Sequence, residues 1–263
     1  MARFIKLLKS QNYVLYYGHG KAKEMAYFDI AIVEPSGQSD LEKDFMQSKE
    51  TLVLAYLSIM EVPSWSEDLK YIKLDDCLKI NGQNVMNEQF GNYCADLRSG
   101  KWQRMLLNKV SYLLEYRGFD GVFLDTIGFI ENKGFPLGLR EELMVAASEI
   151  LNNIRLVFPG HILIQNCGLV EVIKYTKKYI NGICWENPPF DQKYYSKLTK
   201  TVLKHLKNMW LESGFKTFLL FENVNKEYLL KRYSSEIAQK NNFIIYNSHG
   251  NYEKGMNLKG FNN

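Results

Sequence analysis

Five carboxylates in this chain stand at or near the ends of apolar, strand-like runs: Glu34, Glu61, Asp125, Glu186 and Glu222. Asn166 and Asn247 end two further runs in the same way. Carboxylates brought together repel one another and lose solvation, so gathering them costs stability unless a proton, a cation or a ligand compensates. A pair of them can cleave a glycosidic bond, one protonating the leaving oxygen while the other attacks or activates water. Asp125, after FDGVFL, and Glu186, between ICW and two prolines, are the strongest candidates for that work. Glu61 and Glu222 divide evenly between substrate binding and structural hydrogen bonding, and Glu34, beside Pro35, reads mainly as structural. Tyr16, Tyr17, Tyr56, Trp65, Trp185 and Tyr246 are aromatic candidates for stacking on sugar, led by Trp65 and Trp185. His19 and His249 are the histidines near these positions, too few for a histidine-rich hydrolytic metal centre, so neither a metal nor a cofactor is expected.

These residues share one pocket only if the elements carrying them converge. Apolar runs cover 13–18, 28–35, 51–62, 119–127, 161–167, 180–188, 215–223 and 243–250. Several are nearly continuous in apolar residues, as strands buried on both faces are. Helical patterns lie between them. Lys101 to Tyr116 places Trp102, Met105, Leu106, Val110, Leu113 and Leu114 three and four apart, and 139–158, 194–211 and 228–238 repeat the spacing. Gly118, Gly160 and Gly214 stand where helix C-caps would feed the next strand. Strand and helix in alternation mean a parallel sheet, and eight units fit a single (β/α)8 barrel over 1–263, with an open doubly wound sheet as the alternative. In a barrel all C-terminal strand ends meet on one face, which would bring the acids together. The segment 63–100 reads as an insertion over that mouth, and the last helix as short or missing.

The totals agree with a globular enzyme-sized domain: 263 residues, 46% hydrophobic, 24% charged and 14% aromatic. The net charge of +4 comes from lysines scattered along helical segments, so no nucleic-acid partner is expected. Cys77, Cys94, Cys167 and Cys184 lack metal-site spacing. Cys167 and Cys184 read as free core thiols, whereas Cys77 and Cys94 could pair in an oxidising compartment. No apolar run is long enough to span a membrane, and the first 18 residues do not read as a signal peptide.

The segments FDGVFLDT at 119–126, AYLSIMEVPSW at 55–65 and INGICWENP at 180–188 resemble strands of the endo-α-1,4-polygalactosaminidase-like glycoside hydrolases, family 114 and its relatives. FDIAIVEP at 28–35 and NYCADLRSGKWQRML at 92–106 fit as well. The resemblance implies a (β/α)8 barrel acting on galactosamine-containing polysaccharide, with Asp125 and Glu186 as the catalytic pair and Glu61 and Glu222 in binding. It also implies a secreted or envelope-associated protein whose leader has been removed. Two positions depart from the pattern: Gly128 stands where relatives carry a second Asp, and Met60 where they carry Gly before the third-strand Glu. A non-catalytic carbohydrate-binding barrel would keep the aromatics and the acidic rim. A phosphosugar enzyme would need a glycine-rich loop after the last strands, for which only YNSHGNYEKG offers material.

Overall fold

The computed structural model describes residues 2–190, 196–224, 227–248 and 252–253. His249, the start of the helix expected at 194 and everything after Glu253, where a last helix would lie, fall outside the described residues.

Eight parallel strands form a nearly closed (β/α)8 barrel, in sequence order around its circumference. They are β1 (Tyr13–Tyr16), β2 (Ile30–Val33), β3 (Leu52–Ser58), β4 (Gly121–Asp125), β5 (Ile162–Asn166), β6 (Gly182–Glu186), β7 (Lys216–Glu222) and β8 (Ile244–Ser248). Their residues are almost wholly buried, because one face looks into the barrel and the other against helices. At the seam between β8 and β1 the Tyr13 ring lies 5.7 Å from that of Tyr246, and the Tyr13 hydroxyl reaches β7, donating to the Leu219 carbonyl at 2.9 Å.

The surrounding helices include α1 (Ala2–Lys9), α2 (Asp40–Ser48), α3 (Gly100–Ser111), α4 (Leu137–Val157), α5 (Val172–Thr176), α6 (Lys197–Ser213) and α7 (Glu227–Arg232). Three of them are capped at their starts by side chains where the backbone N–H groups would otherwise lack partners: Ser39 with Glu42 on α2, Ser99 on α3 and Ser196 on α6. Gly118 and Gly214 take the left-handed conformation expected of C-caps, at φ 70° and 69°; Gly160 does not. The patterns at 101–116 and 228–238 each finish in a π-helical turn, Tyr112–Tyr116 and Tyr233–Gln239. Helix α1 lies across the N-terminal end of the barrel, with Leu7 fully buried and Arg3 donating to Asp120 at the foot of β4.

The apolar run 51–62 does not form one strand. The chain leaves the barrel after Ser58, and Glu61–Pro63 instead pairs antiparallel with Asn92–Cys94 in a small three-stranded sheet completed by Met86–Asn87. Trp102 of α3 holds this break by donating Nε1 to the Ile59 carbonyl at 2.8 Å. All four cysteines are free thiols, including the suggested pair Cys77 and Cys94. Among the described residues no helix is long and apolar enough to cross a membrane.

Candidate active site

Side chains alternate along a strand, so one parity of each strand faces the barrel interior. The registers Ser58 to Asp125, Phe123 to Ile164, Asn166 to Cys184 and Cys184 to Phe218 carry a single inward parity around the wall. Asp125, Asn166, Glu186 and Glu222 are the last inward residues of β4, β5, β6 and β7, respectively. Each is followed by a residue in the left-handed region: Thr126 at φ 65°, Cys167 at 58°, Asn187 at 43° and Asn223 at 57°. Such a turn bends the chain away immediately, leaving the last side chain standing at the mouth.

The Asn166 amide joins the two acids. Its Nδ2 donates to Asp125 Oδ1 at 2.8 Å and to Glu186 Oε2 at 2.9 Å. Laid end to end, the 2.8 and 2.9 Å contacts limit the separation of those oxygens to 5.7 Å. The ordinary splay of two amide N–H bonds puts it at about 5 Å.

A layer of tyrosines backs the pair. Tyr252 donates its hydroxyl to Glu186 Oε1 at 2.7 Å. The Tyr56 hydroxyl lies close enough to Asp125 to feel its charge. The Tyr17 ring stands between them, 4.9 Å from that of Tyr56 and 5.7 Å from that of Tyr252, edge-on to both. Burial first, and the neighbouring carboxylates second, push the hydroxyls of Tyr17, Tyr56 and Tyr252 up, so all three remain protonated donors.

The remaining candidates are distributed more widely. Glu34 caps the turn after β2, accepting from Ser36 N and Oγ at 3.4 and 3.1 Å, and burial pushes its carboxyl up. Glu61 sits on the antiparallel sheet rather than on a barrel strand. It is buried, and its two oxygens accept from Asn87 Nδ2 at 2.8 Å and Asn92 Nδ2 at 2.9 Å. Glu34, Tyr56 and Glu61 line a cleft of about 510 Å³ that continues along α3 to Asp68, Lys109 and Tyr112. Glu222 is half-buried and acts electrostatically on Tyr252.

Four aromatic candidates lie elsewhere. Tyr16 has the parity opposite to Tyr17, so it is buried on the helix side and donates to the His19 carbonyl at 3.4 Å. Trp185 is likewise turned outward, buried against Phe190 at 5.2 Å, and offers no open face. Tyr246 is packed among interior rings, 6.3 Å from Phe28. Trp65 stands 83% exposed on the segment between β3 and α3. Asn247 is also structural: it is fully buried and exchanges hydrogen bonds with the Val224 backbone. Sequence reasoning missed Tyr252, because no strand or helix pattern marks the segment that carries it.

The Gly128 departure has a visible physical reason. A Cβ on Gly128 would lie 2.6 Å from the Cβ of Cys167 and 2.9 Å from the Gly168 nitrogen, so any side chain there collides. Met60 is fully buried, and its backbone N donates to Thr126 Oγ1 at 2.8 Å. The mouth is stiffened further by Glu131, whose Oε1 accepts the N–H groups of Val170, Glu171 and Val172 at 3.0, 2.7 and 3.0 Å, just ahead of α5. Among the described residues no three His, Cys, Asp or Glu side chains are grouped so as to hold a metal ion.

No protein-family model matches the sequence, and no curated protein is detectably similar to it. Solved structures, however, match nearly its whole length. The glycoside hydrolase domain of PelA from Pseudomonas aeruginosa superposes with a TM-score of 0.75 at 16% identity, over 95% of this chain and 98% of that one. Ega3 from Aspergillus fumigatus, in complex with galactosamine, gives 0.71 at 12% identity, over 94% of each chain. The structural neighbours of this chain include glycoside hydrolases. An α-galactosidase from Thermus thermophilus follows at 0.61 and 12% identity, over 90% of this chain and 57% of that one. At such identities the likeness is one of fold, and it agrees with the resemblance drawn from the strand motifs.

Proposed function

We propose that this chain is a glycoside hydrolase that cleaves an α-linked, galactosamine-containing polysaccharide through Asp125 and Glu186. The observation carrying this reading is the Asn166 amide, which donates to both carboxylates at 2.8 and 2.9 Å. A separation of about 5 Å is the spacing of retaining enzymes, where ~5–5.5 Å suits direct attack and ~6.5–9.5 Å leaves room for a water. Asp125 then attacks the anomeric carbon and forms a glycosyl ester, while Glu186 gives its proton to the departing oxygen. In the second step Glu186 takes a proton from water, the water opens the ester, and the product keeps the anomeric configuration.

The substrate class is supported by the galactosamine bound to one fold neighbour and by the acidic surroundings here. Glu34 and Glu61 line the adjoining cleft, and Glu222 stands at the mouth, so a sugar bearing an ammonium group would be drawn in electrostatically. The test is a screen against galactosamine-containing and other amino-sugar polymers, scored by reducing ends released. Asp125→Asn and Glu186→Gln should each lower the rate by roughly 10²–10⁴. Unchanged cleavage of an authentic substrate by either variant would remove that residue from the mechanism.

A further inference from the structure

Tyr252 plays no part in the sequence reading, yet its hydroxyl makes the shorter of the two recorded hydrogen bonds to Glu186, at 2.7 Å against 2.9 Å from Asn166. It reaches Glu186 from beyond β8, and three features fix it there. The Tyr17 backbone N donates to the Tyr252 carbonyl at 2.9 Å. The Tyr17 and Tyr252 rings meet edge-on at 5.7 Å. Residues 252–253 also lie so close to Gly18 that a Cβ there would stand 2.7 Å from the Glu253 carbonyl oxygen. Tyr252 itself adopts φ 62°, a conformation costly for a bulky residue and retained only where surrounding contacts demand it.

We infer that Tyr252 is the positioning residue for Glu186, holding the orientation of its carboxyl through the hydroxyl that it donates to Oε1. This rests on the two-carboxylate reading above. Asn166 donates to both acids, Tyr252 adds a second hydrogen bond to Glu186, and Tyr17 braces the Tyr252 and Tyr56 rings. The titratable groups facing Glu186 are Tyr252, Tyr17, Tyr13, Cys167 and Cys184, with Asp125 beyond Asn166. Burial pushes those tyrosines and thiols up, so they stay protonated and uncharged beside Glu186.

A donated hydrogen bond favours the ionised carboxylate, and removing it makes the proton harder to lose. The isosteric Tyr252→Phe should therefore move the alkaline limb of kcat/KM upward by about half to one pH unit, since Glu186 acts protonated, and lower kcat roughly tenfold with KM little changed. Tyr56→Phe, which leaves the Tyr252–Glu186 hydrogen bond in place, should leave that limb where it is. A readout independent of turnover is the carbon NMR titration of Glu186 in the full chain, with its signal identified by its loss in Glu186→Gln. An upward shift of that titration in Tyr252→Phe supports the inference even if no polymer is cleaved, an outcome that would count against the proposed function alone. An unchanged titration with an unchanged alkaline limb overturns the inference and leaves the function standing.

Discussion

At the scale of single residues, Gly128 shows how a departure from a family pattern can be a packing constraint. Its Cβ would strike the Cβ of Cys167 at 2.6 Å, and Cys167 holds a left-handed φ of 58° that favours glycine. Restoring an acid by Gly128→Asp should therefore cost about 1–3 kcal/mol of stability through overpacking. Adding Cys167→Gly should recover part of that loss, because it removes the nearer contact and suits the backbone; urea midpoints of the single and double variants measure both. If Gly128→Asp unfolded at the parent's midpoint, the collision would not be the reason for glycine there. The inward side chains at the strand ends were legible from sequence because they follow unbroken apolar runs, which is how Asp125, Asn166 and Glu186 stand out. The aromatics were less legible, because one residue of offset reverses the face. Tyr17 enters the site while Tyr16 and Trp185 are packed on the helix side. Tyr252 left no signal, since its place depends on the close approach at Gly18 rather than on any local pattern.

At the scale of elements, β4, β5, β6 and β7 repeat one device: a polar inward residue and then a left-handed one. Eight strands could be read from the periodicity, but their ends were overrun. The third run looked continuous through Met60 because burial continues there, although the chain has already turned into a second sheet. The hinge of that turn is Thr126, a β-branched residue at φ 65°, where such residues are rarely found. Its hydroxyl compensates by accepting from Met60 N at 2.8 Å and Glu61 N at 3.3 Å, and it shares a hydrogen bond with Ser58 Oγ at 3.1 Å. Thr126→Val keeps the shape and deletes these bonds, leaving buried N–H groups without that partner. It should cost about 1–3 kcal/mol. Because Thr126 follows Asp125 directly, turnover should fall along with stability, whereas Thr126→Ser should retain most of both. Equal stability of the Val and Ser variants in urea would rule out the hydroxyl as the clasp between β4 and the antiparallel sheet.

At the scale of the whole molecule, the barrel is acidic at the mouth and closed at the opposite end by α1, with a buried lysine at that closure. Lys216, 1% exposed at the start of β7, donates Nζ to the Ser10 carbonyl at 2.6 Å, and the Trp210 ring lies 5.2 Å away. Burial pushes its amine down to about 8, opposed only by the charge of Asp29. The unfolded chain keeps an ordinary lysine near 10.4. Below pH 8 the amine is charged in both states and folding bears the full cost of burying that charge. Between about 8 and 10.4 the folded protein has released a proton that the unfolded chain still holds, so stability rises with pH across that window. The size follows from the displacement, about 2 kcal/mol gained between pH 7 and pH 10. Other groups also titrate there, so the comparison is with Lys216→Met, which fills the same space without a charge. The parent should gain about 2 kcal/mol on the variant over that interval in urea unfolding, while the variant is the more stable of the two at pH 7 in this term. Parallel pH profiles for parent and variant would mean that the lysine reaches water, and that α1 does not seal the foot of the barrel.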